Sequence, residues 1–526
     1  MVNESRYADD PFEETHEYRE DEYIASDRLP WWARKAPPLL VSGLLHAVLI
    51  LICAYLITSY ISTEKKAAVL NFFTEPKKEQ YNHEAERDIF KNREIIAEIM
   101  VEDPVIIHDE EKELTKKIPR GKSPDNLTNI NLNGDSISAV FGVGGTPAGA
   151  CGVPWGKGSL KREGGSKETE RVVDAALRWL HFHQDKPEGR WDIDDYQRNC
   201  KGPGAPCSHM NGGQAPASGF DSGVSGLALL AFLGYGQTHR VGRFKRTVRR
   251  GLKFLLSCQD PDTGRFGDAK GESWIYNQAL ATMAICEAYA VTRDNILKKP
   301  AQKAINYIIS SQNPGYGWKY EPRDRKNDTS VTGWMVLALK AAKMGKLAVS
   351  DSAFKGAIEW FDHVTRVSDG KVGYMRPGDP GAKLAGRPAD TFKSLPTMTA
   401  VSVLCRIFCG QKRTNKKIQQ GVKILMDNLP DYNKPKNDKV NYYYWYYATY
   451  AMFQVGGPKW KAWNDAMKKA LIKTQRAGRI CQDGSWDPIG EWCVVGGRVY
   501  ATAINALTLE IYYRYARVQR AKNRGF

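Results

Sequence analysis

The sequence has no recognisable nucleic-acid-binding module, although its 526 residues carry a net charge of +17 at pH 7. It also lacks a run in which arginine alternates with aromatic residues. The glycine-rich run at 142–145 does not have the spacing of a P-loop or dinucleotide-binding motif, and no buried strand precedes it. We therefore expect no nucleic-acid partner, and we assign the positive charge to a generally basic or lipid-facing surface.

The charge is unevenly distributed along the chain. Residues 1–30 carry ten acidic and three basic residues, which leaves +24 for the rest. High charge with few apolar residues predicts a disordered acidic tail at 1–30, and residues 516–526 form a basic tail. Hydrophobic residues make up 42% of the chain, enough for a sizeable core. At this length we expect several domains or one large repeat domain.

Residues 39–62 form a stretch of 24 residues without a formal charge. This length spans a bilayer core of roughly 30 Å. Trp31 and Trp32 precede the stretch and Tyr60 lies near its end, which suits the two membrane interfaces. The stretch is long for a signal peptide, and no clean small-x-small cleavage site follows it. The sequence therefore predicts a single transmembrane helix.

The orientation of this helix depends on two polar residues, because basic residues flank both ends nearly equally. Ser42 and His46 lie four residues apart on one face, and a polar pair inside a span indicates a membrane partner. The Ser-x-x-x-His pattern resembles the anchor of TonB-type energy-transducing proteins, over these few residues only. The resemblance implies an inner-membrane protein with a cytoplasmic N-terminus and a periplasmic C-terminal part. The alternative is a histidine that reaches towards the headgroups.

Residues 63–168 have the composition of a connector. The segment 79–117 is highly charged, and 131–166 is rich in glycine, serine and asparagine. Such composition buries too little apolar surface to order itself. We interpret 63–168 as a disordered tether between the membrane helix and a globular domain.

From about residue 169 the chain repeats one plan: an amphipathic helix, a turn with glutamine and Gly-x-aromatic, then a more apolar helix. In the third unit a helix ends at Gln312, the turn closes on Trp318, and a second helix occupies 331–342. The fourth unit has Gly373 and Tyr374, and the fifth has lost the turn signature. Six helix pairs are predicted, with second helices that begin near residues 221, 276, 328, 397, 443 and 500. The last is as apolar as the others, which favours a closed double ring over an open solenoid.

Four turns carry the full signature. They pair Gln184 with Trp191, Gln259 with Phe266, Gln312 with Trp318, and Gln475 with Trp486. This pattern resembles the QW-type repeat of squalene–hopene cyclases, terpenoid cyclases and protein prenyltransferase β subunits, over residues 169–515. The resemblance implies an all-α protein, an α/α6 toroid of six helical hairpins tethered to the transmembrane helix. The glutamine amide can satisfy backbone groups at a helix end while the aromatic ring packs on its neighbour, so the motif indicates architecture rather than catalysis.

Terpenoid cyclases of class II protonate an alkene with an Asp-x-Asp-Asp motif shortly after such a turn. The matching positions here are 325–328, Arg-Lys-Asn-Asp, and the proton donor of the family corresponds to Asn327. An amide cannot protonate an alkene, and the adjacent cations lower a carboxyl pKa. A literal Asp-x-Asp-Asp at 192–195 lies in a loop directly after Trp191, and we interpret it as a solvated acidic segment. A cyclase of the usual mechanism is not expected.

Prenyltransferases instead hold Zn²⁺ with aspartate, cysteine and histidine. No histidine of the repeat region opens a second helix, so we expect neither a metal nor a cofactor. The cysteine pairs Cys200–Cys207 and Cys481–Cys493 flank loops suited to disulfides, which fits a periplasmic location. A metal set of Cys200, Cys207 and His209 is the alternative, but a disulfide is favoured in this Gly/Pro loop.

The starts of the second helices supply the candidate site residues. The candidate cavity-lining residues are Tyr276, Asn277, Thr329, Trp334, Tyr443, Tyr444, Arg498 and Tyr500. Asp328 and Asp221 are the candidate acids, although helix capping explains both equally well. The aromatic rings suit either a carbocation or packing between repeats. The resulting hypothesis is a non-cyclising binding or scaffold module for a lipid, an isoprenoid or a protein partner. The alternative is an isoprenoid-processing enzyme with an altered acid, and the sequence does not decide between them.

Overall fold

The computed structural model describes Leu51 and most of the C-terminal two-thirds of the chain. The described ranges are 164–201, 219–240, 242–267, 274–379, 396–432, 440–478, 480–490 and 492–514, together with Cys207. Within them no helix is both long and apolar enough to cross a bilayer. The predicted anchor at 39–62, with Ser42 and His46, lies outside the described residues except for Leu51. So do the predicted tails and nearly all of the predicted tether.

The chain divides into two compact units, 1–83 and 84–526, and everything that follows concerns the second. Its described part contains twelve helices of eleven residues or more, in two alternating sets. The odd-numbered helices are α1 (Lys167–Phe182), α3 (Lys245–Ser257), α5 (Asn295–Ser311), α7 (Asp351–His363), α9 (Lys416–Met426) and α11 (Gly457–Ile472). The even-numbered helices are α2 (Asp221–Gly234), α4 (Trp274–Thr292), α6 (Thr329–Met344), α8 (Thr397–Phe408), α10 (Tyr442–Val455) and α12 (Cys493–Leu509).

The two sets differ in burial, as their sequences predict. In α3 the buried residues form one stripe that includes Val248, Leu252 and Leu255, and the rest of the helix is more exposed. In α10 every residue from Tyr442 to Gln454 is buried. A helix that is apolar on one stripe covers a core, whereas one that is apolar on all sides must be surrounded. The odd helices are therefore outer helices and the even helices are inner ones.

Contacts between the inner helices close a ring. Each inner helix packs against the next, from α2 through α4, α6, α8 and α10 to α12, and α12 packs back against α2. Each of α3, α5, α7, α9 and α11 packs against a neighbouring inner helix, and α1 packs against both α12 and α2. This arrangement confirms the predicted all-α toroid of six helical hairpins.

Two details of the repeats differ from the prediction. The last inner helix begins at Cys493 rather than near 500, and Gly497 interrupts it with a φ of 60°. The fourth turn is formed by Thr365 and Val372, which pair as an isolated antiparallel bridge, as Gln259 and Phe266 do in the second turn. Threonine and valine occupy the glutamine and aromatic positions of this turn. The sequence pattern therefore placed the turn at Gly373 and Tyr374, which follow directly.

Candidate functional site

Four glutamines join neighbouring repeats by the same pair of hydrogen bonds. Each Nε2 donates to a carbonyl of its own turn and to a carbonyl of the next outer helix. The distances to the next helix are 3.0 Å from Gln184 to Thr247, 3.0 Å from Gln259 to Pro300, 3.0 Å from Gln312 to Ala353, and 2.7 Å from Gln475 to Val172. Three indole groups add a bond to their preceding helix, from Trp191 to Leu180, Trp318 to Ile308, and Trp486 to Leu471. These eight motif residues are structural, and Gln475 joins the last repeat to the first.

Asp328 caps helix α6 from inside the wall of the ring. Its Oδ1 accepts a bond of 2.7 Å from the backbone N–H of Val331, and its Oδ2 accepts one of 3.1 Å from the hydroxyl of Tyr374. The side chain is fully buried. Burial raises the pKa of Asp328 to about 7, although both hydrogen bonds favour the carboxylate. Capping therefore explains this residue, and its elevated pKa is a consequence of the enclosed position.

Asp221 belongs to a network of ion pairs at the start of α2. Its Oδ2 accepts a bond of 2.6 Å from Arg190, and its Oδ1 accepts one of 3.1 Å from the backbone N–H of Ile193. Asp192, in the same network, is buried and pairs with Arg190 and Arg198 at 2.9 and 2.7 Å. Burial and the nearby Asp192 raise the pKa of Asp221, while Arg190 opposes this. The acidic segment predicted to be solvated is therefore partly buried, because two arginines neutralise it.

Three of the predicted cavity-lining residues come together near the centre of the ring. Trp334 stacks on Tyr443 with ring centroids 5.9 Å apart, and the hydroxyl of Tyr443 lies 2.9 Å from that of Ser330. Tyr276 reaches the same Ser330 hydroxyl at 3.2 Å. Tyr446, which belongs to the aromatic run at 442–447, stacks on the same indole at 5.7 Å. Stacked rings and paired hydroxyls fill this part of the centre with side chains of the chain itself.

Asn277, Thr329, Arg498 and Tyr444 make their hydrogen bonds outside this cluster. Asn277 bridges α4 to the start of α2 through Gly223 and Gly219, and Thr329 donates to the carbonyl of Gly373. Arg498 is buried and bonds to Asp487 at 2.9 Å, in the last turn. Tyr500 is buried, and its hydroxyl finds no hydrogen-bond partner among the described residues. The hydroxyl of Tyr444 donates to the carbonyl of Asn428, which belongs to the fifth turn.

A pocket lies beside the fifth turn, which has lost the glutamine of the motif. Asn428, two residues after the end of α9, stands where the first two turns have glutamine. Its side chain is exposed and donates to Ile424 of its own helix, so it makes no bridge to α11. The position seven residues later, Pro435, lies outside the described residues. A cavity of about 660 Å³ lies between this turn and α11.

The pocket has an apolar floor and charged walls. Its lining residues are Pro396, Asp427–Tyr432, Tyr444, Trp445, Ala466, Lys469, Ala470, Lys473 and Thr474. Leu429 is one of the exposed large hydrophobic side chains of the described chain. Lys469 lies in the last turn of α11 and Lys473 directly follows the helix, and two aspartates lie on the opposite turn. A volume of this size is in the range of ligand sites, and the lining offers partners to both charge signs.

Three cysteines and one histidine meet where the last repeat contacts the first. We call His183, Cys200, Cys207 and Cys481 the Cys/His cluster. The three Sγ atoms lie 3.5, 3.6 and 3.4 Å from Nε2 of His183, and all four atoms lie within 4.8 Å of one another. Burial lowers the pKa of His183, but its hydrogen bonds with the three thiol groups raise it, to about 11. The cluster therefore collects four soft donors in one small volume.

The cluster corrects the predicted disulfides. None of the eight cysteines in the described ranges is in a disulfide. Cys481 contacts His183 rather than Cys493, which is buried and donates to the carbonyl of Ile489 at 3.2 Å. Loop length had suggested pairing along the sequence, whereas ring closure brings Cys481 to residues almost 300 positions earlier. His209, considered as a ligand, lies outside the described residues, and the histidine that completes the cluster is His183.

Comparisons with known proteins find no matching family model and no matching curated protein. Solved structures similar to this chain include the type II terpene cyclase MstE from Scytonema, with 13% identity, 68% of this chain and 98% of that chain covered, and a TM-score of 0.43. They also include an inactive variant of the alpha-1,6-mannanase GH76A from Salegentibacter sp., with 10% identity, 66% and 99% coverage, and a TM-score of 0.44. An alpha-amylase from Clostridium perfringens has 12% identity, 65% and 98% coverage, and a TM-score of 0.42. Similarity at this level says nothing about the activity or the ligand of this chain. The assignment of the toroid therefore rests on the helix contacts of this chain, and the proposals for its function rest on its own sites.

Proposed function

We propose that this chain is a non-cyclising scaffold toroid, held at a membrane by the predicted N-terminal helix, that binds a segment of a partner protein. The observation that carries the proposal is the pocket of about 660 Å³ at the fifth turn. The first, third and sixth turns each contribute a buried tryptophan, whereas the described part of the fifth turn contributes none. The pocket beside the fifth turn can accept an aromatic side chain from outside.

The geometry of the third repeat supports the non-cyclising part of the proposal. Asn327 stands at the donor position, and its Oδ1 accepts a bond of 3.0 Å from Asn313. Asp328, the acid that remains, has both oxygens engaged and is fully buried. A general acid must reach the atom that it protonates. Both side chains are engaged by hydrogen bonds within the protein, which supports a non-cyclising toroid.

The lining of the pocket favours a peptide over a lipid. An acyl or isoprenyl chain needs apolar walls, and a single anionic head needs cations only. Here Lys469 and Lys473 face a turn that carries Asp427 and Asp431. Mixed charges around an apolar floor suit a polypeptide, which combines an apolar side chain with polar backbone groups and charges of both signs.

The proposal can be tested with small probes and a matched pair of variants. N-acetyltryptophanamide represents the expected aromatic anchor, and dodecyl phosphate represents an anionic lipid. Saturation-transfer NMR measures binding of each probe to the full chain. Leu429→Trp fills the pocket, and Val367→Trp makes the same change at an exposed residue of the fourth turn, away from the lining. We expect binding of the tryptophan probe that is lost in Leu429→Trp and kept in Val367→Trp.

Three results would count against the proposal. The tryptophan probe binding equally to both variants would place its site elsewhere. If dodecyl phosphate binds and the tryptophan probe does not, and if this binding is lost in Leu429→Trp, then the pocket is a lipid site. Absence of binding by either probe would remove the pocket as a recognition site.

A second candidate function is an isoprenoid-processing enzyme that uses Asp328. The observation in its favour is the pKa of about 7, which keeps part of the carboxyl protonated at neutral pH. Incubation of the full chain with squalene or geranylgeranyl diphosphate tests it. The enzyme hypothesis requires a product that disappears in Asp328→Asn and persists in Asp324→Asn, four residues earlier in the same loop. The scaffold proposal predicts no product from any of the three proteins.

A further inference from the structure

We propose that the Cys/His cluster binds one Zn²⁺ ion and that this structural site fastens the last repeat of the ring to the first. The donors are three cysteine sulfurs and one imidazole nitrogen, which is a standard set for structural zinc. The inference concerns how the ring closes, so it stands or falls independently of the fifth-turn pocket.

The distances within the cluster match tetrahedral zinc. Bonds of about 2.3 Å to sulfur and 2.0–2.1 Å to nitrogen at a tetrahedral angle place sulfur and nitrogen about 3.5–3.6 Å apart. The observed distances from Nε2 of His183 are 3.5 Å to Cys200, 3.6 Å to Cys207 and 3.4 Å to Cys481. A disulfide between two of the cysteines would instead bring their sulfurs to about 2.05 Å and leave the third thiol without a function.

The histidine is oriented as a ligand by its second nitrogen. Nδ1 of His183 lies 2.8 Å from the carbonyl oxygen of Trp179, so it must carry the proton and donate it. In the neutral imidazole, which is the form that binds a metal, Nε2 carries the lone pair and lies next to the three sulfurs. The ring also stacks on the indole of Trp179, with centroids 4.0 Å apart. A backbone carbonyl that fixes the tautomer in this way is the usual outer-shell partner of a metal-bound histidine.

The surroundings favour a structural rather than a catalytic ion. Four protein ligands complete a tetrahedron and leave no position for water or substrate. His183 and Cys207 are almost wholly buried, and the backbone N–H of Cys207 lies 3.4 Å from Sγ of Cys200 as a donor to it. Soft thiolates select zinc over magnesium or calcium, which prefer oxygen. On binding, the thiol protons are released to solvent and the imidazole coordinates as the neutral form.

The position of the cluster defines what the ion does. His183 follows α1, the first outer helix, and Cys200 and Cys207 lie in the long loop before α2. Cys481 lies in the last turn, 298 residues from His183. Ring closure already relies there on Gln475, whose side chain donates to Val172 of α1. A zinc ion would therefore cross-link the two ends of the repeat array, where a closed ring has no covalent continuity.

The test measures zinc in the full chain, purified under reducing conditions and without added chelator. We expect close to one zinc per chain by plasma mass spectrometry. X-ray absorption should resolve three sulfurs at about 2.3 Å and one nitrogen at about 2.0–2.1 Å. Cys481→Ser should lose most of the zinc, whereas Cys493→Ser should retain it, because Cys493 is buried nearby in sequence but bonds to Ile489.

Several outcomes would overturn the proposal. These are a metal-free chain that takes up no added Zn²⁺, a Cys200–Cys207 disulfide found by peptide mapping of the native protein, or an absorption spectrum with only oxygen and nitrogen ligands. Equal zinc in Cys481→Ser and Cys493→Ser would also contradict it. The absorption measurement uses the unaltered chain, so the proposal remains testable if Cys481→Ser does not fold.

Discussion

Two junctions of the same ring show how one repeat can be sealed or opened. At the seam between the sixth and first repeats, Gln475 bridges to α1, Trp486 is fully buried, and the Cys/His cluster adds four donor atoms. At the junction between the fifth and sixth repeats, Asn428 bonds only to its own helix and a pocket of about 660 Å³ remains. Both junctions join one outer helix to the next, and they differ in the hydrogen bonds that their turns make.

The comparison distinguishes a junction that holds the ring together from one that can bind another molecule. In a turn that contributes a glutamine and an aromatic residue, these two side chains pack between the outer helix and the next one. The fifth turn lacks the glutamine and has a pocket beside it, whereas the fourth turn lacks both residues and keeps the backbone pairing of the motif. The seam cannot be left open in this way, because no peptide bond joins the last repeat to the first and non-covalent contacts must hold it.

The largest expected difference between the two junctions concerns buried tryptophan. Trp486→Ala removes a fully buried indole and its bond of 2.9 Å to Leu471, and it should lower the free energy of unfolding by about 3–5 kcal/mol. Leu429→Ala, in the open turn, should change it by only about 0.5 kcal/mol. Urea unfolding followed by circular dichroism measures both. Similar costs at the two positions would break the comparison.

The free energy of unfolding should depend on pH through Asp328, which lies in the wall between the third and fourth repeats. This dependence is a reference for the effects at the two junctions. The pKa of Asp328 is about 7 in the folded chain and 3.8 as the reference value. A raised carboxyl pKa means that its stabilising contribution is fully present below pH 4 and is lost as the pH rises towards 7. The loss is roughly 4 kcal/mol between these limits. Asp328→Asn should remove this component, and unfolding at pH 5 and pH 8 should show a smaller difference than in the unaltered chain.

A smaller effect is expected from two glycines with similar backbone conformations. Gly484, at the seam, has a φ of 88°, and a Cβ there would lie 2.2 Å from the carbonyl oxygen of Ala175. Gly410 has a φ of 94°, and a Cβ there would meet nothing within 4 Å. Both alanine variants incur the left-handed strain of about 1–2 kcal/mol. Gly484→Ala should cost about 1–3 kcal/mol more, because α1 must move away. Equal thermal midpoints would show that the seam is loosely packed.

The smallest expected difference concerns the amide side chains. Gln475→Ala leaves the carbonyls of Val172 and Gly484 without their side-chain donor, which should cost about 1–3 kcal/mol. Asn428→Ala removes one exposed bond within α9 and should cost roughly 0.5 kcal/mol. The same urea titrations report both values. A larger cost at Asn428 would mean that the fifth turn is held by contacts of its own.

The sequence was sufficient for the fold because the toroid repeats a local signal. Gln184, Gln259, Gln312 and Gln475 each recur beside a glycine and an aromatic residue, and the structure uses all four in the same way. The fourth turn was misplaced because Thr365 and Val372 replace both signature residues while they keep the backbone pairing. A sequence pattern detects the residues that usually occur in such a turn, but it does not detect a turn that keeps the backbone pairing with other residues.

The sites were harder to predict because they depend on distant parts of the chain. His183 ends a helix and Cys481 lies in a turn, and only closure of the ring brings them together. Asp192 resembled a solvated acid because its partner Arg198 comes six residues later, in a short 3-10 helix that the sequence analysis did not predict. Trp334 and Tyr443 were each predicted to line the cavity because both lie near the starts of inner helices, and the structure stacks them on each other. The sequence showed that the fifth turn lacks the motif, but the pocket beside this turn became visible only in the structure.

Hydrogen exchange of the full chain, with and without zinc removal, tests the contrast between the two junctions most directly. We predict that a thiol-compatible chelator increases exchange in α1 and in the last turn at 475–490, while α9 and the fifth turn at 427–432 exchange as before. Restoring Zn²⁺ should restore protection in the first two segments. If chelation leaves the seam protected, or loosens the fifth junction equally, then the ring is not fastened at the Cys/His cluster and the account is wrong.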